Sequence, residues 1–141
     1  MDRKTVCRLV DANANRALEG LRVCEEIVRF DLASPKVFRS TRALRHAIAE
    51  SVRRLPVSPT DLVSARDSHR DIGKRAPSSS VESLERLLLI NFQRTKESLR
   101  VLEECARLMA PRHMAAFQRL RFRAYDVERD VLLKLAALRD R

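Results

Sequence analysis

The chain has 141 residues, enough for one domain with a buried core, and its net charge of +10 comes mostly from arginine. Its composition, 45% apolar and 34% charged, excludes a disordered polymer, and no apolar stretch approaches the about 20 residues of a membrane span. Leu, Ala, Arg and Glu dominate, while only two glycines and no tryptophan occur. This composition predicts an all-α fold rather than a sandwich or barrel.

Apolar residues recur at three- and four-residue steps along most of the chain, the period of an amphipathic helix. In the first helix this stripe consists of Val6, Val10, Ala14, Ala17, Leu21, Cys24 and Val28. Prolines and serines mark the breaks between the helices. In chain order, we expect helices over residues 3–32, 35–55, 80–109 and 111–138, with a long, mostly irregular loop over residues 56–79.

An internal repeat relates the first and third predicted helices. Residues 13–29 align with residues 91–107, and nine of the 17 paired positions are identical. Seven of those nine are polar or charged, although packing alone would preserve mainly the apolar positions. We therefore predict one domain over residues 1–141, a four-helix bundle made from two duplicated helical hairpins (residues 3–55 and 80–138) whose polar stripes act together.

The repeated polar residues lie on one face of each helix at three- and four-residue steps. The faces consist of Asn15, Glu19, Arg22, Glu26 and Arg29 in the first copy and Gln93, Glu97, Arg100, Glu104 and Arg107 in the second. One interpretation is a surface lattice of weak Glu–Arg pairs, each contributing about 0.2–0.5 kcal/mol. The other, which the retention of both copies favours, is a groove in which arginines bind anions and carboxylates orient a ligand or a metal ion.

The loop between the two halves is the second candidate for function. Residues 64–75 contain Asp67 and Asp71, four basic residues and Gly73. Beside an Arg/Glu groove this segment is typical of a lid that could bring Asp67 or Asp71 to Mg²⁺ and Arg66 to a phosphate.

Several other kinds of site are excluded by spacing. The histidines and cysteines lack zinc-ligand spacing, and no glycine-rich nucleotide-binding motif occurs. Cys7, Cys24 and Cys105 are predicted to be buried small hydrophobic residues in a reducing compartment, and with no signal-type hydrophobic N-terminus we expect a cytoplasmic protein. The arginines of residues 119–123 could face nucleic acid, but the interleaved Phe117, Leu120 and Phe122 are typical of a core.

Three blocks of this chain resemble one small protein family. The blocks are Asp11-Ala-Asn-Ala-Asn-Arg with its continuation to Glu26, Ala65-Arg-Asp-Ser-His-Arg-Asp-Ile-Gly73, and Asn91-Phe-Gln-Arg with its continuation to Glu104. They look like the signatures of the monofunctional hydroxymethylpyrimidine phosphate kinases, which are often fused to the N-terminus of thiamine phosphate synthase. Because the chain ends at Arg141, it resembles the stand-alone members.

This resemblance implies phosphoryl transfer from Mg-ATP to hydroxymethylpyrimidine phosphate, giving the diphosphate used in thiamin biosynthesis. The resemblance also implies a functional link to thiamine phosphate synthase. The sequence leaves the oligomeric state open, with a homodimer as one possibility. We assign phosphate binding to Arg16, Arg22, Arg94 and Arg100, with Arg22, Arg100, Arg66 and Asp67 as the catalytic candidates. Mg²⁺ would be held by Glu19, Glu97, Asp67 and Asp71, and recognition of the substrates would involve Asn13, Asn91 and Gly73.

Two alternatives from other classes remain at this stage. The first is a small helical mutase whose inward arginines bind an anionic metabolite without ATP. The second is a basic helical module for nucleic acid or a partner protein, which predicts steeply salt-dependent binding. The duplicated glutamates make nucleic acid an unfavourable partner because they would repel its phosphates.

Overall fold

A computed structural model describes residues 2–140, which form an all-α bundle as predicted. The helices are α1 Arg3–Ile27, α2 Pro35–Arg53, α3 Pro59–Ala65, α4 Leu84–Met109 and α5 Met114–Arg139. A π-helical turn, Val28–Leu32, extends α1, and 3₁₀ turns occupy Ser68–Arg70 and Pro111–His113. Within residues 2–140, no helix is long and apolar enough to cross a membrane.

The break between α1 and α2 has the local chemistry that the sequence predicts. Ala33 adopts a left-handed conformation, with φ of 51°, and its N–H donates to the carbonyl of Val28 at 2.9 Å. Ser34 then occupies the N-cap position of α2, and Pro35 lies in its first turn. Proline is compatible with this position because the N–H groups of the first turn make no hydrogen bond within the helix. The left-handed residue turns the chain sharply, so α2 packs directly against α1.

The connecting segment, expected to be mostly irregular, contains the short helix α3. Ser58 and Asp61 form a capping box, in which Ser58 Oγ accepts from the N–H of Asp61 and the Asp61 carboxylate accepts from the N–H of Ser58. Pro59 lies in the first turn of α3, where proline is compatible with a helix. Most of residues 56–79 are irregular, as expected, and α3 and the 3₁₀ turn Ser68–Arg70 are the helical parts that were not predicted.

The start of α4 also differs from its prediction. The helix begins at Leu84 rather than near Ser80, and the N-cap is Ser83, whose Oγ accepts from the N–H of Arg86 at 3.0 Å. Four serines in six residues, 78–83, offer equivalent capping groups to a sequence pattern. Only the three-dimensional packing of α4 selects one of them.

The predicted apolar stripe of α1 is buried along its whole length and forms the core with residues of α2, α4 and α5. Phe117 and Leu120 of α5 are also buried, but the core prediction was wrong for Phe122, which is 54% exposed beneath the guanidinium of Arg121. Cys7, Cys24 and Cys105 are buried and unpaired, as predicted, and burial raises the pKa of the Cys24 and Cys105 thiols.

The most extensive contact between helices joins α1 to α4, and a glycine permits their close approach. A Cβ atom added to Gly20 would lie 3.0 Å from the carbonyl oxygen of Asn91 and 3.0 Å from Oγ1 of Thr95. Thr95 Oγ1 donates to the carbonyl of Ala17 at 3.1 Å. Ala17 and Thr95 occupy the same position of the repeat, so the two helices cross at equivalent residues, as a pseudo-twofold arrangement requires.

Gly20→Ala tests this crossing. Alanine favours an isolated helix by about 1 kcal/mol over glycine, so a helix without close neighbours would gain stability. Here the methyl group would meet a backbone carbonyl that cannot move alone, and overpacking of this kind typically costs about 1–3 kcal/mol. We expect a net fall in the free energy of unfolding, measured by urea denaturation. Gly73→Ala is the matched control, because the nearest atom to its Cβ is the flexible Asp71 carboxylate at 3.4 Å.

Candidate functional site

A pocket of about 620 Å³ lies between the first half of α1 and the segment that follows α3. Its volume is in the range of small-molecule sites. We call it the α1 pocket. Six of the predicted site residues line it, namely Asn13, Arg16, Glu19, Arg66, Asp67 and Asp71. The structure therefore brings the polar stripe of α1 and the proposed lid segment together.

Asp11 joins that segment to α1. Arg66 Nε donates to Asp11 Oδ2 and Arg66 Nη2 to Asp11 Oδ1, both at 2.8 Å, in a bidentate ion pair. Hydrogen bonds to the Asp11 carboxylate raise the pKa of the Arg66 guanidinium. Asp11 is buried whereas Arg66 stays half exposed at the pocket. The pair therefore holds Arg66 in a defined place beside Arg16 rather than leaving it on a free loop.

The rest of the segment is organised by its own aspartates. Asp67 Oδ1 accepts from the N–H of Arg70 at 3.3 Å, and Asp71 Oδ1 accepts from the N–H of Gly73 at 2.8 Å. Asp67 Oδ2 also lies 3.5 Å from Nε of Arg70 in an ion pair, whereas Oδ2 of Asp71 has no partner among the described residues. Both residues line the α1 pocket. Gly73 itself is exposed and does not line the pocket, so the structure gives it a place in the turn rather than in the site.

Asn13 and Asn91, predicted to recognise a ring edge, make identical local contacts. Nδ2 of Asn13 donates to the carbonyl of Leu9, and Nδ2 of Asn91 donates to the carbonyl of Leu87, each at 2.9 Å. Both asparagines are buried. Asn13 lines the α1 pocket, whereas Asn91 does not line it and packs beside Gly20 at the crossing.

Arg94 and Glu97, predicted to act with Arg16 and Glu19, line a different cavity. This cavity, which we call the α4 pocket, has a volume of about 600 Å³ and lies between α4 and α5. Its lining shares no residue with that of the α1 pocket. The two copies of the polar stripe are therefore divided between two pockets and do not form one continuous groove.

Arg22 and Arg100 lie beyond both pockets, in two equivalent ion clusters. Arg22 Nη1 is 3.1 Å from Glu25 Oε2, and Arg100 Nη1 is 3.0 Å from Glu103 Oε2. Arg22 also pairs with the next-turn Glu26, as Arg100 does with Glu104. An arginine with two ion-pair partners must leave them before it binds a phosphate. The geometry therefore supports a catalytic role for these two arginines least of all.

The centre of each cluster is a buried glutamate held by a second helix. Glu25 is 2% exposed and pairs with Arg45 of α2, while Glu103 is 3% exposed and pairs with Arg121 of α5. The hydrogen bond to Glu103 raises the pKa of the Arg121 guanidinium. These cross-helix pairs give part of the repeated polar pattern a structural origin, because a buried carboxylate must keep its cationic partner.

Sequence reasoning missed Asp11, Glu25 and Glu103 as functional or structural positions. For Asp11 the signal was its location next to Val10 on the buried side of α1. For the glutamates the signal was their repetition together with the aligned pair Arg45 and Arg121. A glutamate that lies one position away from the apolar stripe can be buried or exposed to solvent. The sequence pattern alone does not tell these two cases apart.

The predicted metal ligands are only partly assembled. Glu19, Asp67 and Asp71 line the α1 pocket, but Glu97 lines the α4 pocket. Within residues 2–140, no three His, Cys, Asp or Glu side chains are close enough together to hold a metal ion by themselves. Mg²⁺ in phosphoryl-transfer sites usually needs only one or two carboxylates, since substrate phosphates and water supply the other ligands.

A sequence model described as the ThiD2 family matches residues 8–130. Among curated proteins, the chain is 38% identical over 130 residues to a thiamine-phosphate synthase of Synechocystis sp. and 34% identical over 141 residues to one of Rhodopirellula baltica. These matches cover 90% and 98% of the chain but only 36% and 37% of the two relatives, so the chain spans little more than a third of their length. No solved structure matches the chain.

Removing the buried glutamate of an ion cluster should lower the free energy of unfolding strongly, whereas removing the exposed arginine should lower it little. Glu103→Ala leaves the largely buried Arg121 without its carboxylate, and breaking a buried pair in this way costs roughly 3 kcal/mol. Arg100→Ala removes a half-exposed partner and should cost about 1 kcal/mol or less. Urea denaturation of both variants measures the difference. Equal losses would show that the clusters are ordinary surface pairs, and Glu25→Ala with Arg22→Ala repeats the comparison in the first half.

Proposed function

Because the chain belongs to the ThiD2 family, a family of thiamin biosynthesis, we propose that it transfers a phosphoryl group from ATP to hydroxymethylpyrimidine phosphate. The product is the diphosphate, which a thiamine-phosphate synthase would then use. The synthase activity named for the longer relatives is not assigned to this chain.

The α1 pocket is the observation that carries the proposal, because it combines unpaired cations with carboxylates. Within residues 2–140, no ion pair engages Arg8 or Arg16, both of which line the pocket, whereas Arg22 and Arg100 are fully paired. Arg66 adds a third guanidinium that Asp11 holds in place. Both proposed substrates are polyanions, and an unpaired guanidinium can bind phosphate oxygens without first breaking a contact.

Phosphoryl transfer requires mainly positioning and neutralisation of charge, and these residues supply both. The attacking atom is a phosphate oxygen of hydroxymethylpyrimidine phosphate, which is largely ionised at pH 7, so the pocket needs no strong general base. Arg8 and Arg16 on α1 bind and orient the phosphates. Arg66 approaches from the opposite wall and offsets the charge that accumulates on the transferred group.

The carboxylates of the α1 pocket fit a magnesium ion that arrives with ATP. Because no three such side chains of the described chain lie close enough together to hold a metal ion by themselves, one or two of Glu19, Asp67 and Asp71 would supply the hard oxygen ligands that Mg²⁺ prefers. Asp67 and Asp71 lie on the segment that Asp11 anchors. When bound, the ion would neutralise charge on the ATP phosphates. Asp67 and Asp71 also fix the backbone of their own turn, so the ligands are placed before any substrate binds.

Asn13 could recognise the aminopyrimidine. Its Nδ2 is engaged by the carbonyl of Leu9, which fixes the orientation of the amide and leaves Oδ1 as an acceptor toward the pocket. An amino group on the ring is a suitable donor to that oxygen. Selectivity for the phosphorylated substrate would come from the arginines, because the free alcohol offers them nothing to bind.

The reaction is tested by ADP release from Mg-ATP with either hydroxymethylpyrimidine phosphate or the unphosphorylated alcohol. We expect turnover of the phosphate alone. Arg16→Ala should lower kcat/KM at least tenfold, about 1.4 kcal/mol of transition-state stabilisation. Arg94→Ala, at the equivalent position of the repeat, should lower kcat/KM less than Arg16→Ala does, because Arg94 lines the α4 pocket. Arg107→Ala removes an exposed, paired arginine and serves as the control for loss of charge.

The outcomes separate the proposal from its alternatives. No turnover of either compound by the folded protein would exclude the kinase activity. Turnover of both would retain the kinase and remove the selectivity for a phosphate. Equal losses in Arg16→Ala and Arg94→Ala would show that the reaction is not confined to the α1 pocket.

A further inference from the structure

The α1 and α4 pockets are related by the internal repeat. Nine residues of α1 line the α1 pocket, and for six of them the residue 78 positions later, the separation of Asn13 from Asn91, lines the α4 pocket. These six residues are Arg86, Leu89, Ile90, Gln93, Arg94 and Glu97. The volumes of the two pockets, about 620 Å³ for the α1 pocket and 600 Å³ for the α4 pocket, are nearly equal. The α4 pocket is therefore the second copy of one ancestral concavity.

The α4 pocket keeps the anion-binding part of that concavity. Arg86 and Arg94 repeat Arg8 and Arg16, and within residues 2–140 no ion pair engages either of them. Both are exposed, so their guanidinium groups are accessible to a ligand. Other exposed arginines of the described chain, such as Arg39 and Arg119, also have no ion pair, so the observation that points to a ligand is the repetition of two arginines at the same positions of both pockets.

Two of the four other repeated positions carry larger apolar side chains in the α4 pocket, whereas the other two stay polar. Asp11 of the first copy corresponds to Leu89, and Ala12 corresponds to Ile90. Leu132 of α5 adds a third apolar side chain to the wall. Leu89, Ile90 and Leu132 are all partly buried, and together they offer a surface that a flat ring can cover.

Of the two carboxylates that line the α4 pocket, Glu128 has a cationic partner and Glu97 keeps its charge with one hydrogen bond from a neutral amide. Glu97 accepts from Nε2 of Gln93 at 3.0 Å. Glu128 is 2.8 Å from Nζ of Lys96, and this ammonium also lies 4.7 Å from the centre of the Tyr125 ring. Lys96 and Glu128 thus neutralise one another. Nothing in the α4 pocket corresponds to Asp67 and Asp71, whose segment reaches only the first copy.

From this arrangement we infer that the α4 pocket is a second ligand site, which binds a phosphate monoester of a flat ring compound without a divalent cation. Arg86 and Arg94 bind the phosphate. Leu89, Ile90 and Leu132 cover the ring. The inference does not rest on the kinase activity, because it concerns binding at residues that lie outside the α1 pocket.

The test is a titration of the ¹⁵N-labelled protein with phenyl phosphate in the presence of EDTA, followed by amide chemical shifts. We expect saturable shifts at residues 86–97 of α4. Arg94→Ala should weaken this binding at least about tenfold, the loss of one charge-assisted hydrogen bond. Arg107→Ala should leave it unchanged. Arg94 is exposed, so its removal is not expected to unfold the chain.

Leu89→Asp provides an independent variant, because it restores the acidic residue of the first copy and should weaken phenyl phosphate binding by repelling it. The inference is overturned if phenyl phosphate shifts no amide of α4, or if the shifts persist unchanged in Arg94→Ala. Shifts that appear only when Mg²⁺ replaces EDTA would also overturn it. Inorganic phosphate should bind more weakly than phenyl phosphate, and equal affinities would overturn the role of the apolar wall. A kinase assay on the same samples reports separately on the α1 pocket.

Discussion

The close packing of α1 against α4 at Gly20 determines where every other functional group lies. Because glycine has no side chain, the carbonyl of Asn91 and the hydroxyl of Thr95 reach the backbone of α1. The helices cross at equivalent residues, so each polar stripe is directed away from the other. One stripe then meets α3 and the segment after it, and the other meets α5. Two separate pockets are the geometric result of that crossing.

Two of the repeated pairs of arginines have different surroundings, which the sequence does not distinguish. Arg22 and Arg100 complete ion clusters around buried glutamates, and their positive charge is already offset. Arg16 and Arg94, two turns of helix away from those arginines, have no such partner among the described residues and line cavities. A carboxylate in the core requires a cation nearby, whereas an unpaired guanidinium at a cavity is free to accept an anionic ligand. The same residue type therefore completes an ion cluster in one turn and lines a pocket without a partner in another.

Sequence patterns predicted the long helices well because each buries a continuous stripe of apolar residues, and the period of that stripe is a local property. They failed where the outcome depends on distant partners. Phe122 resembles Phe117 in the sequence, yet only Phe117 faces a neighbouring helix. Asp11, which holds Arg66, has its partner 55 residues away. The capping box of Ser58 and Asp61 is a local pattern, and the short helix that it begins was not predicted.

The most consequential difference between the two copies of the repeated helix is the residue pair Asp11 of α1 and Leu89 of α4. A carboxylate at this position of α1 binds the guanidinium of Arg66 in two hydrogen bonds and so brings the aspartates that follow it to the pocket. A leucine at the same position of α4 cannot anchor any cationic segment, and it gives the wall an apolar character instead. A duplicated helix thus supplies two arginine-lined pockets, and a single side chain decides which one gains the aspartates of the connecting segment. The pocket without that anchor keeps its arginines, and its wall is more apolar.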